Sequence, residues 1–188
     1  GDVHPAMNFA ATLESPVILF CRNNGFAIST PVKDQYRGDG IVTRGPALGI
    51  ASMRVDGNDL FAVYEATREA RRVALSEGRP VLIEAMTYRQ SHHSTSDDST
   101  RYRDIEEIKQ WQETDDPVRR LRAYLEKQGW WDEEKEADAA KAERAGVLEA
   151  VKNAESKPKP EISDLFEDVY HTKPQSLIDQ EEALRAHI

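Results

Sequence analysis

A run of polar residues follows the first strongly apolar stretch of the sequence. Arg22, Asn23, Asn24 and Gly25 come directly after the stretch Val17–Cys21. An arginine guanidinium binds phosphate through a fork of donors, asparagine supplies a neutral oxygen, and glycine lets the backbone turn. These residue types favour a site for an anionic ligand together with a hard metal ion. Taken alone, however, Asn-Asn-Gly is more typical of an ordinary turn.

A second polar segment, residues 88–103, follows another apolar stretch, Val81–Thr87. It includes His92 and His93 and has almost no apolar residues to bury. Loops of about fifteen residues in compact domains are usually either functional or disordered. Ligands of open parallel α/β sheets lie beyond the carboxyl ends of the strands. We therefore expect the two polar segments to meet over one ligand.

The elements that must position these segments follow an α/β pattern. The stretch Val17–Cys21 is short, unbroken and rich in β-branched and aromatic residues, which predicts a strand buried on both faces of a parallel sheet. Strands are also predicted over Ile50–Val55 and Val81–Thr87. Between these two lies a predicted helix, Asp59–Ser76, whose apolar residues recur every three or four positions. This order predicts a right-handed βαβ unit, and a helix over His4–Leu13 precedes it.

Helical patterns with solvent-exposed, acidic faces dominate the sequence beyond residue 103. Helices are predicted over four ranges: Asp104–Glu113, Pro117–Gln128, Trp131–Glu155 and Leu177–Ile188. The Lys-Pro-Lys-Pro sequence at 157–160 predicts a break between helices. We therefore predict two domains, the carboxy-terminal part of an α/β domain over residues 1–103 and a helical extension over residues 104–188.

Composition excludes several classes of function. The formal net charge of −9 argues against a general nucleic-acid-binding surface, which would be basic. Cys21 is the single cysteine, so neither a disulfide framework nor a cysteine-based metal cluster is expected, and a reducing compartment is indicated. No apolar run approaches the roughly 18 residues that suggest a membrane span.

Four motifs occur in one order along the chain: Arg-Asn-Asn-Gly-Phe-Ala-Ile-Ser-Thr-Pro, Arg-Val-Asp-Gly-Asn-Asp, Glu-Ala-Met-Thr-Tyr-Arg and His-His-Ser-Thr-Ser-Asp-Asp-Ser. Together they closely resemble the alpha subunits of branched-chain 2-oxo acid dehydrogenases, the decarboxylase components that depend on thiamine diphosphate. The resemblance covers nearly the whole chain. It implies the thiamine-diphosphate-binding fold, a parallel sheet flanked by helices, with the amino-terminal part missing from this sequence.

The resemblance also implies roles for individual residues. Asn24 matches the residue whose side-chain oxygen binds Mg²⁺, and Phe26 matches one that gives Mg²⁺ its backbone carbonyl. Arg22 resembles the arginine that contacts the cofactor phosphates. His93 resembles a loop histidine that also contacts them and lies near the reacting centre, which makes it the catalytic candidate. The family's carboxylate ligand lies upstream of residue 1, so Asp2 is not assigned to the metal.

The loop 88–103 resembles a regulatory loop of the family. Ser94 matches a serine whose phosphorylation switches mitochondrial relatives off. We expect Arg89 to fix the loop through Asp97 or Asp98, and we expect its residues Gln90–Arg103 to be disordered without cofactor and ordered with it. A second phosphorylation site of the family corresponds to Asp104. That difference favours a bacterial, cytoplasmic protein over one of the mitochondrial matrix.

The function implied by the resemblance is decarboxylation of branched-chain 2-oxo acids, followed by acyl transfer to a lipoyl arm. The implied partners are a beta subunit, in an alpha2-beta2 heterotetramer, and a lipoyl-bearing acyltransferase core; neither nucleic acid nor membrane is implied. Two alternatives stay open. The chain could be the alpha subunit of pyruvate dehydrogenase, although the asparagine and histidine motifs favour the branched-chain type. It could also be a non-catalytic assembly or binding module, which the acidic helical tail would suit.

Overall fold

The computed structural model describes residues 1–188, which divide into two compact units, Gly1–Trp131 and Asp132–Ile188. The elements of the first unit are α1 (Val3–Thr12), β1 (Ile18–Asn23), β2 (Phe26–Ala27), β3 (Thr30–Pro31), α2 (Val32–Gln35), α3 (Arg44–Ala47), β4 (Ala51–Asp56), α4 (Leu60–Glu77), β5 (Val81–Met86), a 3₁₀ turn (Ser99–Arg101), α5 (Ile105–Thr114) and α6 (Pro117–Lys127). The long predicted helices and the three predicted strands are all present, with small shifts at their ends.

Three parallel strands form the main sheet, in the order β1-β5-β4. The central strand is β5, and its residues from Val81 to Ala85 are all buried. In contrast, β1 pairs on one side only, and Phe20 is 43% exposed. The prediction that β1 is buried on both faces does not hold within these residues, because none of its side chains is fully buried. That description fits β5 instead.

Helices cover both faces of this sheet, as an α/β fold requires. On one face, Ala70 and Val73 of α4 pack against Val81 and Ile83 of β5. On the other face, Met7 of α1 packs with two sheet-side residues, Ile50 and Leu82. The alternation of side chains along β5 supplies both cores. The predicted fold, a parallel sheet flanked by helices, is confirmed.

The helices α5 and α6 belong to the first unit, although we predicted a domain boundary at residue 103. The ring of Trp111 stacks on Tyr88, with 5.1 Å between the centroids. The side-chain amide of Asn58 donates a 2.8 Å hydrogen bond to the backbone oxygen of Asp115. Arg120 forms a 2.8 Å ion pair with Asp56 at the end of β4. These contacts attach both helices to the sheet, so the compact units separate at residue 131 instead.

The second unit contains α7 (Glu133–Glu155), α8 (Asp164–Glu167) and α9 (Gln175–His187). Asp132 caps α7 by accepting a 2.9 Å hydrogen bond from the backbone N–H of Lys135. Acidic residues fill the first turn of α7, where the helix dipole favours negative charge. Lys173 forms a 2.7 Å ion pair with Glu181 of α9. None of the helices of the chain combines the length and the apolar character that a membrane crossing requires.

Candidate functional site

The two polar segments meet at the carboxyl edge of the sheet, as predicted. Arg22, in the last part of β1, and Asn24, just after it, line a cleft of about 450 Å³. The opposite wall is formed by the start of the loop after β5, including Tyr88, Arg89 and Ser91. The cleft therefore places Arg22 beside the Asn24 side chain, donors suited to phosphate, while the Arg89 guanidinium already donates to the Ile28 backbone oxygen at 2.7 Å.

The turn after β1 is built from two successive asparagine side chains. The Oδ1 atom of Asn23 accepts a 3.1 Å hydrogen bond from the backbone N–H of Gly25, and Oδ1 of Asn24 accepts one of the same length from Phe26. Gly25 has φ of 82°, a conformation that favours glycine. The turn interpretation and the ligand interpretation of this motif are thus compatible. One lone pair of the Asn24 oxygen is used by the turn, and the second is left for a ligand.

The side chain of Phe26 lies in a cluster of aromatic rings and arginines. Its ring centroid is 6.2 Å from that of Tyr88 and 6.1 Å from that of Tyr102. The guanidinium carbons of Arg89 and Arg103 lie 5.8 and 5.6 Å from the Phe26 centroid. The ring therefore packs against the loop, which agrees with a ligand role for the backbone of Phe26 but not for its side chain.

Arg103 is a site residue that our sequence analysis missed. Only 5% of it is exposed. Its guanidinium donates hydrogen bonds to the backbone oxygens of Arg89 and Ser91, the latter at 2.8 Å. It thus fastens the far end of the loop to its beginning. The sequence gives little sign of this role, since a buried arginine looks the same as an exposed one in a polar segment.

A relay of hydrogen bonds fixes the predicted regulatory residues. The Nη2 atom of Arg89 donates to the Tyr102 hydroxyl at 2.8 Å, and this hydroxyl donates to Oδ2 of Asp97 at 2.6 Å. We expected Arg89 to contact Asp97 or Asp98 directly. Tyr102 lies between instead, because a hydroxyl can accept from one group while it donates to another. Hydrogen bonds from Tyr102 and from the His93 backbone lower the pKa of Asp97.

The two histidines of the loop have different environments. His92 is held in place, since its Nδ1 accepts a 3.0 Å hydrogen bond from the backbone N–H of Ser99, a residue that is 2% exposed. His93 is exposed, and its backbone N–H donates to Asp97 at 2.8 Å. Its side chain does not line the cleft of Arg22 and Asn24. The predicted phosphate contact of His93 thus stays a prediction. Ser94 is exposed as well.

A buried carboxylate in the central strand is the second feature that our sequence analysis missed. Glu84 is 0% exposed and accepts four hydrogen bonds: from Asn23 Nδ2 (2.8 Å), Ile41 N–H (2.8 Å), Val42 N–H (3.0 Å) and Arg54 Nε (3.1 Å). Burial by itself raises the pKa of Glu84, but these hydrogen bonds outweigh that effect and lower it. The signal was available: a glutamate interrupts the apolar run of β5.

Three relatives show what this chain is similar to. The mitochondrial 2-oxoisovalerate dehydrogenase subunit alpha of Homo sapiens is 60% identical over 188 residues, which are 100% of this chain and 42% of the relative. The corresponding protein of Caenorhabditis elegans is 56% identical over 188 residues, 100% of this chain and 43% of the relative. Subunit alpha 1 of Arabidopsis thaliana is 52% identical over 185 residues, 98% of this chain and 39% of the relative. The chain spans about two fifths of the length of these relatives.

The relatives correct one expectation. They are mitochondrial proteins of eukaryotes, whereas Asp104 led us to favour a bacterial, cytoplasmic protein. That preference is wrong. The structure gives Asp104 a simpler role, because its carboxylate accepts a 2.9 Å hydrogen bond from the backbone N–H of Glu106 and so caps α5. An acidic residue at this position therefore carries no information on the compartment.

A family match covers the site described above. The family model described as dehydrogenase E1 component matches residues 1–163. This range includes the whole first unit, with the cleft of Arg22 and Asn24, the loop 88–103 and the buried Glu84. The chain therefore belongs to the family of dehydrogenase E1 components.

Proposed function

We propose that this chain is part of the alpha subunit of a 2-oxo acid dehydrogenase that decarboxylates branched-chain 2-oxo acids with thiamine diphosphate and passes the acyl group to a lipoyl arm. The observation that carries the proposal is the cleft at the carboxyl edge of the sheet, where Arg22 and Asn24 meet Arg89. The names of the relatives support a branched-chain substrate over pyruvate. Membership of an enzyme family argues against a non-catalytic module.

The residues of the cleft fit a diphosphate with Mg²⁺. Arg22 is exposed at the cleft wall and would bind phosphate oxygens. Asn24 would give Mg²⁺ a side-chain oxygen and Phe26 a backbone oxygen, both of the hard type that Mg²⁺ prefers. The chain has no group of three or more His, Cys, Asp or Glu residues that could hold a metal ion. The remaining oxygens of an octahedral site would come from the diphosphate, water and the rest of the enzyme.

Thiamine diphosphate, when bound, supplies the electron sink that decarboxylation needs. The residues of this chain would bind and orient the phosphate end, and the loop after β5 would screen it from water once it closes. His93 would contact the phosphates once the loop closes over them. We propose a beta subunit as the partner, in an alpha2-beta2 heterotetramer, because in the family that this chain resembles the glutamate that activates the aminopyrimidine ring comes from that subunit. A lipoyl-bearing acyltransferase core would receive the acyl group.

Titration of thiamine diphosphate and Mg²⁺ into the full-length chain, assembled with its partner subunit, tests this function. We expect the Asn24→Ala variant to lose Mg²⁺-dependent cofactor binding while its circular dichroism stays unchanged. The matched control is Asn8→Ala, which removes an exposed asparagine side chain from α1. Unchanged affinity in Asn24→Ala would overturn the role of Asn24, and a wild-type assembly that binds no thiamine diphosphate would overturn the function.

A further inference from the structure

Glu84 is buried in the centre of the sheet and does not line the cleft that would contact a cofactor. A buried ionised group is costly unless its partners compensate for the lost hydration, and four donors do so here. We infer that Glu84 acts through Asn23 to position Asn24 for Mg²⁺ and diphosphate. Glu84 and Asn23 are thus positioning residues, and the inference rests on the proposed function.

Strand register places Glu84 where it can reach β1 and β4 at once. In the parallel pairing, Cys21 and Arg54 are its lateral partners. Side chains alternate along a strand, so Cys21 and Asn23 share the face of Glu84, while Arg22 points the other way. The amide of Asn23 consequently donates to Glu84 at 2.8 Å from two residues further along β1. Glu84 thereby fixes the last residue of the strand that leads to the cleft.

Asn23 passes this constraint to the turn. Its Nδ2 is held by Glu84, so the amide plane has one orientation, and Oδ1 is directed to the backbone N–H of Gly25 at 3.1 Å. The same amide also donates to the Tyr36 hydroxyl at 3.3 Å. The peptide held between Asn23 and Gly25 carries Asn24. A carboxylate that never touches the ligand therefore sets the backbone direction at Asn24. It also sets the direction in which the Asn24 side chain leaves the backbone.

The other partners of Glu84 make it a fixed anchor. Backbone N–H groups of Ile41 and Val42 hold it from the loop above the sheet, and Arg54 holds it from β4. Gly40 packs so closely that a β-carbon there would collide with the side chains of Glu84 and Arg54. These neighbours fix the carboxylate oxygens of Glu84 in place. The turn after β1 must therefore adopt a conformation that fits their position.

Asn23→Ala is the variant that tests the inference, since it cuts the link but leaves Glu84 with its other three donors. Substitution of Glu84 itself risks misfolding. Loss of an outer partner typically costs about ten- to a hundredfold in metal affinity. In the complete enzyme with its partner subunit, we expect the half-saturating Mg²⁺ concentration to rise about tenfold. In the metal-free enzyme, the Gly25 amide should exchange its hydrogen about tenfold faster, because its acceptor is gone.

The destabilisation control is Ile83→Val, a truncation in the same buried strand whose side chain faces α4. It should lower the thermal midpoint without changing the Mg²⁺ requirement. If Asn23→Ala binds Mg²⁺ as the wild type does, or if both variants weaken binding in proportion to their thermal midpoints, the inference is overturned while the proposed function stands. If the wild-type enzyme binds neither Mg²⁺ nor thiamine diphosphate, the proposed function and the inference both fail.

Discussion

Asn23 is the last residue of strand β1 and Asn24 follows it, and the two side chains have different surroundings. Asn23 faces the buried carboxylate of Glu84, whereas Asn24 lies in the cleft with Arg22. The second role is what the family resemblance implies for Asn24, since the residue types alone favour an ordinary turn. The sequence could not predict the first role, because the partner of Asn23 is 61 positions away. Buried polar networks of this kind depend on sheet register, which local patterns do not reveal.

Tyr102→Phe should loosen the loop 88–103. The phenyl ring keeps its contact with Phe26, but the hydroxyl that joins Arg89 to Asp97 is lost. Each lost hydrogen bond costs about 0.5–1.5 kcal/mol, so the open loop should be several-fold more populated. Trypsin should then cleave faster after Arg101, whose side chain is 84% exposed.

The control for this substitution is Tyr64→Phe, since Tyr64 lies exposed on α4 at 63% relative accessibility. Cleavage should be measured in the full-length assembled protein, with and without thiamine diphosphate. The cofactor should slow cleavage in the wild type more than in Tyr102→Phe. Equal cleavage rates for Tyr102→Phe and the wild type would show that the relay does not hold the loop.

On the scale of elements, long periodic segments were predictable and short ones were not. The 18-residue helix α4 begins at the cap Asp59, which accepts hydrogen bonds from Phe61 and Ala62, and ends at Gly78 with φ of 63°. These signals are local, so the sequence shows them. The two-residue strands β2 and β3 have too few residues for any period. We expected the loop 88–103 to have almost no apolar area to hold it, and Ser99 and Arg103 are instead buried in it through polar contacts.

Glu84→Gln should change how the stability of the sheet depends on pH. The pKa of Glu84 is lowered from 4.5 in the folded chain, so its ionised form contributes stability above about pH 4.5. This contribution disappears as pH falls through the folded pKa. In Glu84→Gln, the side-chain NH₂ would face groups that are themselves hydrogen-bond donors. The free energy of unfolding should therefore fall by on the order of 3 kcal/mol at pH 7. The difference from the wild type should then shrink below about pH 4.5.

Urea unfolding of both proteins between pH 7 and pH 3.5, followed by tryptophan fluorescence, measures this difference. Glu65→Gln is the matched control, because Glu65 is exposed on α4. Its free energy of unfolding should stay within about 0.5 kcal/mol of the wild type, as for most surface substitutions. Parallel pH profiles for the wild type and Glu84→Gln would mean that Glu84 is not ionised in the folded sheet.

On the scale of the whole molecule, the chain supplies one side of a site. The sheet places Arg22, Asn24 and Arg89 at one edge, and Pro117 at the start of α6 lines the same cleft. One carboxylate lines this cleft, that of Asp116. It accepts one hydrogen bond on each oxygen, from the backbone N–H of Arg119 at 2.9 Å and from Gln90 at 3.0 Å.

The 188-residue chain by itself should bind thiamine diphosphate weakly. Arg22 and Asn24 can hold phosphate oxygens, but Mg²⁺ would keep most of its waters, and the thiazolium and aminopyrimidine rings would stay solvated in an open cleft. Calorimetric titration should give no micromolar affinity for this chain, whereas the full-length subunit with its partner should bind. Circular dichroism must show the same helical signal with and without cofactor, so that unfolding does not explain weak binding. Micromolar, Mg²⁺-dependent binding by the 188-residue chain would show that Asn24, Phe26 and the diphosphate suffice for the site.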